Sequence, residues 1–127
     1  MSGVTYDTTV LVAAERGDRQ MWSRHRGLLR LGAVPTVPAP VVAQAWRGGS
    51  RQALLARLLA GCAIDAMTEE AARAVGHLLG SAAHDDVVDA AVVESASRRG
   101  DSIITADRGH IERLVAACQQ NLVIEIV

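Results

Sequence analysis

Phenylalanine is missing from this sequence, and only three aromatic residues, Tyr6, Trp22 and Trp46, occur among its 127 residues. The core must therefore be assembled from Ala, Val, Leu and Ile. Half of the residues are apolar, enough for one real core and too many for disorder. Charge of either sign is also scarce in excess. The formal net charge of −1 excludes a nucleic-acid binder that works by bulk positive charge, and leaves a local basic patch or metal ions as alternatives. Cysteine is limited to Cys62 and Cys118, whose spacing matches neither a zinc site nor a Cys-x-x-Cys motif, so both are expected as buried free thiols in a reducing compartment. The chain opens without the basic-then-apolar order of a secretory signal, and no apolar run approaches the ~20 residues that span a bilayer. The expectation is a single cytoplasmic domain over residues 1–127, with no membrane association.

What is present is an alternation of short apolar strands and helices. Val4-Thr5-Tyr6 has strand composition, and a helix over Val10–Arg16 stops at Gly17. A second helix spans Arg19–Leu31. Val34–Pro38 is extended, and its prolines argue against a central place in the sheet. Pro40 suits the first turn of a helix over Val41–Arg47. Ser50 can cap a helix through Leu59, Cys62–Ala66 is a weak strand, and Thr68 opens a helix through Leu79, with Ala71, Ala72, Val75, Leu78 and Leu79 inward and Gly80-Ser81 as its breaker. The segment from Asp86 to Asp107 is the clearest unit. Ala90, Val93, Ala96 and Ser97 recur at helical spacing, Gly100 stands where a C-cap glycine belongs, and Ser102–Thr105 is a strand ending at Asp107. Asp107 starts another helix, and Leu122–Val127 is a last strand. The predicted fold is α/β: a small, mostly parallel sheet in a three-layer α/β/α arrangement, with short strands and about seven helices.

Three acids follow from this layout. Asp7 ends the first strand, Asp107 ends a later one, and Asp89 opens the helix before it. Ligands of open parallel sheets bind beyond the carboxyl ends of the strands. Carboxylates gathered there repel one another, and a divalent cation relieves the repulsion. An all-oxygen donor set selects Mg²⁺ or Mn²⁺ over zinc, and the chemistry that suits it is phosphodiester cleavage. The plain alternative is that Asp7, Asp86 and Asp107 are helix caps. No nucleophile–histidine pattern and no phosphate-binding glycine loop competes.

The same residues resemble a known family. Tyr6-Asp7-Thr8-Thr9-Val10-Leu11-Val12-Ala13-Ala14 is similar to the opening motif of PIN-domain proteins. Asp89-Ala90-Ala91-Val92-Val93-Glu94-Ser95-Ala96, with Gly100 and Thr105-Ala106-Asp107, is similar to that family's later acidic motifs in register. The VapC-like toxins of type II toxin–antitoxin systems are the nearest group, and the likeness extends over essentially the whole chain. The resemblance implies a Mg²⁺-dependent ribonuclease blocked by a cognate antitoxin and built as a homodimer. It makes Asp7, Asp89 and Asp107 metal ligands and catalytic acids, with Thr8 and Thr105 orienting them. Asp86, three residues before Asp89, is either an outer carboxylate or a cap.

Two positions depart from the family. Where it places Glu in the helix after the second strand, this chain has Gln44, whose amide oxygen can ligate but brings no charge. Where it often has a further acid after the last motif, His110 stands, as a phosphate contact, a proton donor or an exposed helix residue. Arg47 and Arg108, with Arg51, Arg57, Arg98 and Arg99, are the candidates for RNA phosphates. Met21, Trp22, Trp46, Leu55 and Leu58 are candidates for an antitoxin groove or simply core. A catalytically weakened RNA- or protein-binding regulatory module is the competing function, and a small metal-dependent phosphatase the third.

Overall fold

The computed structural model describes residues 3–127. Five strands, β1 (Val4–Tyr6), β2 (Thr36–Pro38), β3 (Ala63–Asp65), β4 (Ser102–Thr105) and β5 (Ile124–Ile126), form one sheet in the order β3-β2-β1-β4-β5. Every pairing is parallel. Seven α-helices connect them: α1 (Thr8–Glu15), α2 (Arg19–Arg30), α3 (Ala39–Ala45), α4 (Ala53–Ala60), α5 (Glu69–Ala82), α6 (Val87–Arg99) and α7 (Glu112–Ala117). With right-handed crossovers, the rule for parallel strands, this order puts the helices before β3 on one face of the sheet and those after it on the other. In the packing, α1 lies against α2, α3 and α4, and α5 against α6 and α7, while α3 also reaches α6. The three-layer α/β expectation is what the chain adopts. No helix of the described residues is long and apolar enough to cross a membrane.

The strand order reverses beside β1, which makes the carboxyl ends of β1 and β4 the switch point of the sheet. Val4, Thr5 and Tyr6 pair with Ser102, Ile103 and Ile104, and the Asp7 N–H extends the ladder to the Ile104 carbonyl at 3.3 Å. Helix α6 packs on β1, β2 and β4 as well as on α3, α5 and α7. Ala90 to Val93 and Ala96 are accordingly buried, and the polar Asp89 and Ser95 are buried with them. Gly100 terminates it with φ +72°, a conformation that favours glycine.

Several boundaries and placements differ from the sequence reading. β2 is interior, between β1 and β3, although it contains a proline. Pro35 precedes the strand and Pro38 is its last residue, while the pairing with β1 is confined to Thr5 and Thr36, so neither proline interrupts that ladder. Helix α5 continues through Gly80 and Ser81 to Ala82. Leu78 and Ala82 bury on one stripe, which offsets a glycine cost of about 1 kcal/mol. Ala72, expected inward, is exposed. Ser50 makes no side-chain cap and starts a short 3₁₀ turn before α4, and Asp107 caps a second 3₁₀ turn, Arg108–His110, before α7. Met21, Leu55 and Leu58 are fully buried core residues and offer no groove. Both cysteines are free but only half-buried.

Candidate active site

Asp7 caps α1 directly after β1 and is 1% exposed. Its Oδ2 accepts the Thr105 hydroxyl from the end of β4 at 2.5 Å, and its Oδ1 accepts the Thr9 hydroxyl at 2.5 Å and the Val10 N–H at 3.3 Å. Both hydroxyls are themselves aimed by the β4 loop. The Ala106 N–H donates to Thr9 at 2.7 Å, and the Asp107 N–H to Thr105 at 3.0 Å. Among the described residues no basic side chain pairs with Asp7. Burial raises its pKa above the ordinary value, and the Thr105 and Thr9 hydroxyls and the Val10 N–H oppose that rise.

Asp89 lies in the first turn of α6 and is buried. Burial comes first, then the Asp86 and Asp7 carboxylates, in pushing its pKa up to about 6, against the pull of His110 and His84. Asp7 therefore acts on Asp89 as a like charge, more weakly than the adjacent Asp86 does. Asp86 is the cap of α6, its Oδ1 accepting the Asp89 N–H at 3.0 Å. Its carboxylate also lines the cavity, so the two alternatives for Asp86 are not exclusive.

The other expected residues divide. Asp107 is largely exposed; its Oδ1 accepts the Gly109 N–H at 3.0 Å and its Oδ2 lies 3.1 Å from His110 Nε2. The other ring nitrogen of His110 is 3.7 Å from Asp89, so the imidazole stands between the two acids. Among the described residues no three His, Cys, Asp or Glu side chains converge as a ready-made metal cage. Of the expected trio, Asp7 and Asp89 are buried, whereas Asp107 turns outward to cap its own turn and meet His110. Thr8 does not touch Asp7: its hydroxyl donates to Gln44 Oε1 at 2.6 Å. Arg47 folds onto the Ala43 and Trp46 carbonyls, Arg108 pairs with Glu112 at 2.8 Å, and neither lines the cavity.

That cavity, about 600 Å³, starts at Asp86, Asp89, Ala106 and His110, passes Thr8, Thr9 and Gln44, and continues along α1 to Val12, Arg16 and Asp18. The sequence reading missed Thr9 as an Asp7 ligand and Arg16 as a cavity residue. A hydroxyl two residues after a capping Asp is a usable signal for the first. Only the helical repeat along α1 could have pointed to the second.

Comparison with known proteins gives the fold. No protein-family model and no curated protein matches the sequence. A chain in the crystal structure of VapBC2 from Rickettsia felis bound to a DNA fragment from their promoter superposes with a TM-score of 0.73, at 15% identity over 98% of each chain. PAE2754 from Pyrobaculum aerophilum superposes with a TM-score of 0.67, at 13% identity over 98% of this chain and 84% of that one. These likenesses show a PIN-like fold, and at such identities they show the fold alone.

Proposed function

We propose that this chain is a Mg²⁺- or Mn²⁺-dependent endoribonuclease, the toxin half of a cytoplasmic toxin–antitoxin pair, acting as a homodimer and restrained by a cognate antitoxin. One observation carries the reading. Two buried aspartates, Asp7 after β1 and Asp89 in the first turn of α6, both have a raised pKa, Asp89 partly through the charge of Asp7, and among the described residues no arginine pairs with either. Burying like charges with no permanent counter-charge beside them, only the His110 ring 3.7 Å from Asp89, is costly unless something cationic joins them. The fold neighbour VapBC2, crystallised on promoter DNA, and the motif resemblance support the toxin assignment.

The donor chemistry fits a hard cation. Mg²⁺ commonly takes one or two carboxylates and completes its shell with water and substrate phosphate. Asp7 and Asp89 would hold it, with Gln44 Oε1 as a neutral neighbour. Such a cation supplies charge neutralisation at the phosphodiester and an activated water. The chain's own part is positional. Thr9 and Thr105 fix one oxygen each of Asp7, Asp86 fixes the backbone of Asp89, and the packed α6 keeps Asp89 from turning away. At pH 7 the Asp89 carboxylate is mainly ionised, because its raised pKa is about 6.

Incubating RNA with the protein tests this. Cleavage should require added Mg²⁺ or Mn²⁺, stop with chelator, and vanish in Asp89→Ala. A second reading, a weakened RNA- or protein-binding module, is favoured by Gln44, a neutral amide tied to Thr8 where a third acid would complete the set. RNA or partner binding that survives Asp7→Ala and Asp89→Ala, without cleavage by the wild type, would favour it.

A further inference from the structure

The cavity has two unlike ends. The acidic end holds Asp86 and Asp89, while the far end carries Arg16, the one lining residue among those described with a permanent positive charge. Arg16 is exposed and occupies the C-cap of α1. No carboxylate pairs with it among the described residues, whereas Arg24, Arg73, Arg98, Arg99 and Arg108 are all engaged in ion pairs. The nearby Asp18 caps α2 through the Met21 N–H, with Oδ1 at 2.9 Å. Val12, 39% exposed, and Ala13 give this end an apolar floor. From Thr9 to Arg16 the helix advances about 10 Å, too far for one phosphate to reach both ends.

Resting on the ribonuclease reading, we infer that the far end of the cavity is a second phosphate subsite, in which Arg16 takes a backbone phosphate flanking the scissile one of a single-stranded RNA. The strand lies along α1, its flanking sugar or base over Val12 and Ala13. A guanidinium suits this task because its fork matches two phosphate oxygens. The subsite selects for chain length: an oligonucleotide fills both ends, and a small phosphodiester fills only the acidic one. A basic residue at a helix C-terminus also favours the helix dipole, but that role moves stability and leaves RNA affinity alone.

The test compares wild type with Arg16→Gln and Arg16→Lys. Binding of a fluorescent single-stranded oligoribonucleotide is measured over a range of salt in Ca²⁺, and cleavage of that oligonucleotide and of bis(p-nitrophenyl) phosphate in Mg²⁺. Arg16→Gln should weaken oligonucleotide binding about fivefold at low salt and lower the salt slope by about 0.7, as expected for one lost phosphate contact. Arg16→Lys should recover most of both, and hydrolysis of the small diester should be unchanged. Wild-type affinity and slope in Arg16→Gln would overturn the subsite while leaving the ribonuclease standing if the oligonucleotide is still cut. Salt-sensitive binding that depends on Arg16, with neither substrate cut, would keep the subsite and remove the nuclease. No oligonucleotide binding by the wild type would overturn both.

Discussion

Two buried aspartates sit at opposite ends of the same strand pair. Asp7 follows β1, and Asp101 precedes β4; they are 1% and 6% exposed. Each accepts a threonine hydroxyl from the neighbouring strand, Asp7 from Thr105 at 2.5 Å and Asp101 from Thr5 at 2.9 Å. At the Asp101 end the charge is answered by Arg99 at 3.3 Å, and a Cβ added at Gly3 would come within 2.8 Å of the carboxylate, so backbone closes over it. At the Asp7 end no basic side chain answers the charge among the described residues, Asp89 feels it as a like charge, and the adjoining Thr8, Thr9 and Asp89 line an open cavity. Burial and hydroxyl donors are thus common to a structural and a candidate functional carboxylate. The missing counter-charge separates them.

That contrast can be broken or sharpened by substitution. The largest effect is expected at the pair itself: Asp7→Asn should lower metal-dependent RNA cleavage at least a hundredfold, since a metal's charge stabilisation is worth several kcal/mol, while Asp101→Asn leaves cleavage intact in whatever protein folds. Next come the two threonines. Thr105→Val should reduce cleavage roughly 10- to 100-fold by loosening Asp7. Thr5→Val should spare cleavage and instead cost about 1–2 kcal/mol of stability, read by denaturant unfolding, because Asp101 loses its hydroxyl donor.

Asp89 should show the opposite sign. A carboxyl raised to about 6 in the folded chain, from an ordinary 3.8, holds its proton more tightly when folded, so the metal-free protein is penalised above pH 6 and relieved as the pH falls toward 4. Asp89→Asn should therefore stabilise the metal-free protein at pH 7 by on the order of 2 kcal/mol, a shift of several degrees in Tm that fades near pH 4. The smallest effect is expected at Gln44. Gln44→Glu adds a third charge beside the pair and should raise Mg²⁺ affinity severalfold in calorimetry, with the acceptor for the Thr8 hydroxyl kept.

Much of the frame was legible because local chemistry and tertiary packing agree. Val4–Tyr6, whose composition predicts a strand, is β1, and Gly100 closes α6 in the left-handed conformation that favours glycine. The parts that escaped the sequence are those decided across the chain. Helix α5 passes Gly80 because Leu78 and Ala82 both find the core. Asp107 resembles Asp7 as a cap that follows a strand, yet it turns to solvent, because Gly109 and His110 give it partners of its own. His25, on an ordinary helix, is buried with its Nδ1 2.9 Å from the Tyr6 hydroxyl, a pairing nineteen residues apart that no spacing encodes.

The central claim is that Asp7 with Asp89, and not buried carboxylates in general, holds the cation. Calorimetric titration of Mg²⁺ into metal-free wild type, Asp7→Asn and Asp101→Asn tests it without RNA. The account predicts binding by wild type and Asp101→Asn and none by Asp7→Asn. Equal affinity in wild type and Asp7→Asn would contradict it.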